Sequence, residues 1–354
     1  FLMKFANGKV TVAGDTAVAA PTERATSSYT VDRSMGPVLS FNTYNDIFHF
    51  LGEPTYGNIE GEQGDWEFVI TKLTEDSIFV KGKKWENEMV FTRMADGVDW
   101  TSYLDSIADV QKRLGVNYSV GNSSDASKMV EINSATRRIL SRTADGQMVE
   151  QPFYVTPTGI HAVNEPVALG EDKAQDFLVS KAGVLTAKDN ENLTLNSYAP
   201  GIDTWVGNWT LSAMQGSCDM TISKVEDQEN MLKGTFTAGG YTYNIGLSFN
   251  PETGALNLPS QLIDDPSGRY PALWLMNADL NKGMLLGQGG MNVVWHGVSQ
   301  EGDFEDDGTL ASEGYASDTF IALACTAKGE PIKENNQYVF VIEWYYLSNL
   351  TPNK

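Results

Sequence analysis

Cysteine is nearly absent. Cys218 and Cys325 are the only two in 354 residues, too few for the disulfide framework of small secreted domains. Each falls in an apparent strand, CDMTI and FIALAC, and the pair reads as two buried thiols or as one bridge. Histidine is also scarce. His49, His161 and His296 stand far apart, with no HExxH and no Cys/His cluster around them, which argues against a dedicated zinc site. No GxSxG elbow marks a nucleophilic serine. The glycines of GQGGMN at 287–292 lack the following helix and the Lys-Ser/Thr of a phosphate loop. No run approaches the roughly 20 apolar residues of a membrane-spanning helix. Positive charge is in deficit, with 25 Lys and Arg against 46 Asp and Glu, net −21. Phosphate backbones and anionic lipid surfaces repel such a protein, so nucleic acid is not an expected partner.

What remains is a folded, aromatic-rich chain. Hydrophobic residues make up 41%, with Gly 33, Tyr 14, Phe 15 and Trp 8, a mixture that favours strands and tight turns. The length suits two domains, or three, with sizeable cores. The stretch Gly64–Met94 sets the pattern. Trp66, Phe68 and Ile70 alternate, a polar turn follows at Thr74-Glu75-Asp76-Ser77, and Ile78-Phe79-Val80 and Met89-Val90-Phe91 form two further apolar runs. Alternation puts the first set on one strand face, and three short strands in a row make an antiparallel meander.

The same grammar runs through the chain. Leu2–Val12 reads as a hairpin around Ala6-Asn7-Gly8. Ser28–Arg33 and Val38–Phe50 read as strands, with loops at Ala13–Thr26 and Glu53–Gly64. One helix interrupts this pattern, from about Trp100 to Leu114. Asp99 can cap it, Leu104, Ile107, Val110 and Leu114 recur at helical spacing, and Gly115 suits the position after its end. Hairpins follow at Asp145-Gly146 and Pro157-Thr158-Gly159. The polar segment Ala187–Gly201 reads as the domain boundary. From Asp203 the strands restart, and CDMTISKVEDQENMLKGTF echoes DWEFVITKLTEDSIFVKGKK. Tyr338–Leu347 reads as a long aromatic strand. The expectation is therefore a mostly β protein of antiparallel meander sheets or barrels in two domains. Residues 1–200 hold the helix, and residues 203–354 form a barrel or sandwich.

Candidate sites follow from chemistry. Carboxylates at Asp65/Glu67, Asp219, Asp264/Asp265 and Glu343 can serve acid–base catalysis only if two face one another across a cleft. Asp303, Glu305 and Asp307, followed by Gly308, resemble the opening of a calcium loop, although position 314 is Gly where a bidentate acid is needed and the flanks are not helical. A solvated acidic loop is the plainer reading. Trp274, Trp295, Trp344 and Tyr346 can stack on sugar rings if exposed, or fill cores if not. Alternation along one strand would put Trp344 and Tyr346 on the same face.

The run GPVLSFNTYNDIFHF, followed by GDWEFVI, KGKK and PFYVTPTGI, resembles an uncharacterised family of Bacteroidetes lipoproteins, domain of unknown function 4302. The resemblance covers roughly residues 1–200 and, more loosely, the rest. It implies an extracytoplasmic protein held at the outer membrane, periplasmic or on the cell surface, by a lipid anchor upstream of residue 1. It transfers no catalytic residues. GNWTL, near residue 207, looks like the first strand of a lipocalin-type barrel. Two functions fit these features. One is a non-catalytic binding or interaction module without a cofactor, for a small apolar ligand, a glycan or a partner protein. The other is a carboxylate-dependent hydrolase acting on glycans or peptides.

Overall fold

The computed structural model describes residues 1–16, 18–33, 36–54 and 59–353. The protein is mostly β, and the strand pairings are antiparallel. It forms two compact units, one of Phe1–Leu114 with Val155–His161, the other of Gly115–Tyr154 with Ala162–Lys354.

In the first unit, seven strands follow one another across a single sheet in chain order: β1 Leu2–Ala6, β2 Lys9–Ala13, β3 Ala25–Asp32, β4 Val38–Phe41, β5 Glu67–Leu73, β6 Ser77–Gly82 and β7 Glu88–Thr92. Asn7 and Gly8 have φ of 50° and 73°, the left-handed pair that a tight hairpin demands. Val10, Val12, Leu39, Phe41, Phe68 and Val80 line the inner face. The strand expected over Val38–Phe50 stops at Phe41. The Asn45 side chain accepts hydrogen bonds from the N–H groups of Ile47 and Phe48, both at 3.2 Å, and turns the chain into a 3-10 helix at His49–Gly52. Phe48 then packs on Phe41 at 4.6 Å between ring centroids. The expected loop at Glu53–Gly64 includes residues 55–58, which lie outside the described residues, as does residue 17 in the loop at Ala13–Thr26.

Helix α1 spans Trp100–Arg113 and buries Leu104, Ile107 and Val110. Asp99 caps it by accepting from the Ser102 N–H at 2.7 Å. The expected glycine cap is absent. Leu114 is extended, Gly115 is not left-handed, and its N–H donates to the Tyr118 hydroxyl at 2.7 Å. Among the described residues no helix is long and apolar enough to cross a membrane.

Next in the chain come β8 Asn117–Val120, β9 Met129–Asn133, β10 Arg138–Arg142, β11 Met148–Thr156, β12 Gly159–Ala162, β13 Val167–Leu169, β14 Asp172–Ala174, β15 Asp176–Val179, β16 Leu185–Ala187 and β17 Asn190–Ser197. All but the small β13–β14 hairpin close into an eight-stranded barrel. The boundary expected at Ala187–Gly201 is mostly its last strand. Leu193 and Leu195 point inward and are buried, while polar residues alternate outward and give the segment its linker-like composition.

A second closed barrel uses β18 Gly207–Ala213, β19 Gly216–Lys224, β20 Met231–Ala238, β21 Tyr241–Phe249 and β22 Leu256–Pro259. The chain then leaves for β23 Gln261–Ile263, β24 Ala272–Asp279 and β25 Met284–Leu285. It returns as β26 Gly290–His296 and β27 Glu301–Asp306, and leaves again for β28 Thr319–Cys325, β29 Lys333–Glu334, β30 Gln337–Tyr338 and β31 Phe340–Trp344. Finally, β32 Asn349–Pro352 pairs with both β18 and β27 to complete the barrel. The excursions build a five-stranded sheet that shares the barrel's core. The long strand expected over Tyr338–Leu347 is broken. Val339 separates β30 from β31, and Tyr346 has φ of 48°. Cys218 and Cys325 are both free thiols, and burial raises the pKa of each.

Candidate functional site

The four aromatics singled out from sequence do not converge. Trp295 is buried inside the second closed barrel with Trp205 and Trp209, at centroid distances of 5.4 and 6.2 Å. Both indole N–H groups of the latter pair are satisfied, Trp205 by the Gly254 carbonyl and Trp209 by that of Trp205, each at 2.8 Å. Trp344 is also buried, against Phe236 at 4.7 Å. Tyr346 lies past the end of β31 in a left-handed turn, so strand alternation does not set its direction; its N–H donates to the Thr319 hydroxyl. Only Trp274 sits half-buried on a sheet face.

The acidic run does not form a loop. Asp303 and Glu305 lie within β27, where alternate side chains project from one face and cannot wrap an ion. Asp303 meets the Nε2 of His296 at 3.3 Å. Asp306 accepts from the N–H groups of Gly308 and Ser317, and Asp307 from that of Thr309. These carboxylates anchor the segment after β27. Among the described residues no three His, Cys, Asp or Glu side chains are grouped to hold a metal ion. The other acids are similarly engaged. Asp65 accepts from the N–H groups of Lys84 and Trp85, with Gly82 leaving room that a side chain would fill. Glu67 pairs with Lys83 at 3.1 Å. Asp265 caps the turn at Ser267–Tyr270, and Glu343 accepts from the Tyr345 hydroxyl. Asp219 lies on β19 beside Thr210.

Sequence reading missed a buried polar lock between the two closed barrels. Asn117 and Glu131 stand opposite each other on β8 and β9, facing out of their barrel, and both clasp the turn between β26 and β27. Asn117 donates to the Trp295 carbonyl and accepts from the Gly297 N–H at 2.9 Å. Glu131 accepts from Val298 and Ser299 N–H at 2.6 and 3.1 Å and meets His296 Nδ1 at 3.2 Å. Arg142 donates to the Val298 carbonyl at 2.6 Å. This explains why β9 is buried on both faces. His296 thus lies between two carboxylates. Asp303 beside Nε2, an ion pair without hydrogen-bond alignment, and Glu131 at Nδ1 outweigh burial and raise its pKa to about 10. At neutral pH the ring is an imidazolium with no lone pair, which suits docking and not base catalysis. A crevice of about 470 Å³ opens beside the lock, lined by Asp125, Ser127, Arg142, Ser299 and Glu301 among others.

The second feature is a face. Register aligns Leu262, Trp274, Leu323 and Phe340 in one row across β23, β24, β28 and β31. Leu323 is buried in the middle, while Leu262 is 52% and Phe340 47% exposed. Gly329, at φ 81°, leans its turn against Leu262 and Trp274. Arg269 pairs with Glu334 at 3.0 Å and lies over the Tyr270 ring, whose hydroxyl also donates to Glu334. Lys333 covers Tyr338. No sequence motif marks this row, because its members come from four separate strands.

Comparison with known proteins yields one match. The family model for a domain of unknown function, DUF4302, matches residues 1–181, just over half the chain. No curated protein and no solved structure matches.

Proposed function

The chain belongs to the DUF4302 family of unknown function, and on that premise we propose that it is a non-catalytic binding module of the bacterial cell envelope whose ligand is a neutral glycan. One observation carries the ligand class: Leu262, Trp274 and Phe340, exposed or half-buried, share one row across β23, β24, β28 and β31. Aromatic and aliphatic faces stack on the apolar faces of pyranose rings. Four strands place the ends of the row roughly 14 Å apart, long enough for several sugar residues. The net charge of −21 repels acidic polysaccharides and favours neutral ones.

The interior argues against the apolar-cargo version of this reading. Trp205, Trp209, Trp295, Phe236 and Trp344 occupy the core of the last barrel and its sheet, where a carrier needs an open cavity. If that barrel is lipocalin-type, as GNWTL suggests, its centre is packed. The envelope location, with a lipid anchor upstream, rests on the motif resemblance to Bacteroidetes lipoproteins; palmitate labelling of the full gene product in its host tests it.

For the ligand, native affinity electrophoresis through gels containing laminarin, xylan or mannan is the test. Retardation of the native protein by one of these, and its loss in Trp274→Ala and Phe340→Ala, is the expected result. Unchanged mobility in all three gels removes the glycan reading.

A further inference from the structure

We propose that the seven-stranded sheet is an incomplete barrel, and that its open seam between β1 and β7 takes up one extended segment of a partner polypeptide. Each strand of the meander runs antiparallel to the one before it, so β1 and β7, six steps apart, run in the same direction. Direct closure would require a parallel pair between two strands of five residues each. One further strand, antiparallel to both, restores an even count. The two other barrels of this chain close with eight strands.

The edges are prepared for such a strand. Neither β1 nor β7 has a second strand neighbour among the described residues. The Phe5 ring on β1 lies 6.4 Å from the Phe91 ring on β7, and also 4.9 Å from Tyr29 on β3 and 6.3 Å from Phe41 on β4, so the inner faces of the two edge strands meet in one ring cluster. Phe5 is 37% and Val90 54% exposed. Met3, Met89 and Phe91, on the inner face, are only partly buried. An entering strand with apolar side chains at alternate positions would cover these residues, and its backbone would satisfy two rows of edge N–H and C=O groups at once. That requirement selects the occupant. A second copy could offer β1 or β7, but each already uses one side for its neighbour and can fill only one edge. The seam fits a segment with both sides free, about five residues long, apolar at every second position.

The probe is a fluorescein-labelled peptide of alternating threonine and valine, flanked by Ser-Gly for solubility, added in excess to the full chain. Hydrogen exchange should slow by about tenfold or more at both Leu2–Ala6 and Glu88–Thr92, with no change in β18–β22. Phe5→Glu, which places a charge in the seam at a partly exposed position, should weaken binding about tenfold by fluorescence anisotropy. A peptide with proline at alternate positions lacks the ladder donors and should protect neither edge of the native protein, a control independent of whether the variant folds. Unchanged exchange at both edges overturns the proposal. So does protection of one edge only, which is edge-to-edge stacking. Protection that appears without peptide and rises with protein concentration assigns the seam to a second copy and overturns it equally.

Discussion

The first sheet and the last barrel are assembled from the same antiparallel hairpins, yet one stays open and the other closes. The difference lies in where the closing strand comes from. In the last barrel, β32 returns from the far end of the sequence and pairs with both β18 and β27, setting Leu211 against Leu350 and Gly302 against the same leucine. The first sheet proceeds strictly in chain order, and among the described residues no later strand joins it. Closure also governs the core. The closed barrel surrounds three mutually packed tryptophans. The open sheet relies on Phe41, Phe48 and Phe68 and leaves Leu73 65% exposed at its rim. Chain order alone does not keep a sheet open, because the eight-stranded meander within β8–β17 closes by pairing β17 with β8. The last barrel instead recruits a distant strand, at the cost of closing a long loop.

The largest expected effect breaks the closed side of that comparison. Trp205→Ala removes a fully buried ring and should cost about 4 kcal/mol in urea denaturation. Exchange protection should fall in β18–β22 and remain unchanged in β2–β6. Gly302→Ala acts at the same place, since an added Cβ would lie 2.7 Å from the Trp205 ring, and should cost about 2 kcal/mol.

Next in size is the lock. His296→Gln should lose about 3 kcal/mol at pH 6 by leaving two carboxylates unpaired. The sign with pH follows from the raised pKa. Imidazolium pairing contributes fully below the unfolded value of about 6.5 and is lost as the pH rises toward about 10. Native stability should therefore fall across that window, and the variant should show a flatter profile when melting temperatures are compared from pH 6 to 10. Equal slopes would show that the ion pairs do not form in solution.

On the open side, Asp65→Ala removes the acceptor for two N–H groups of the turn before β7. It should cost about 2 kcal/mol, with the loss confined to exchange in β5–β7. The smallest effect belongs to the rim. Leu73→Ser should change stability by less than about 0.5 kcal/mol. A loss of several times that, measured by denaturation, would mean that the rim is covered in solution and that the contrast between open and closed sheets is overdrawn.

Local features were legible to the extent that their physics is local. The Asn7-Gly8 hairpin, the strands around Phe68, Ile78 and Val90, and the helix capped by Asp99 all lie where pattern and turn chemistry put them. Misreadings arose where one face of an element was judged without its neighbours. The outward polar residues of β17 look like a linker. The acidic run at 303–307 looks like an ion-binding loop until His296, Ser317 and Thr309 are brought to it. Trp295 and Trp344 look available until a core closes over them. Glu131 and His296 are separated by 165 positions, and no sequence spacing could join them.

By itself the sequence determined strand, turn and helix identity, because alternation, glycine conformation and capping act within a few residues. It also determined a strongly acidic surface. Which sheets close, which aromatics remain at the surface and which carboxylates are free were decided only in the tertiary structure. Those outcomes depend on pairings between residues far apart in the chain, and burial of a side chain is a property of everything packed around it.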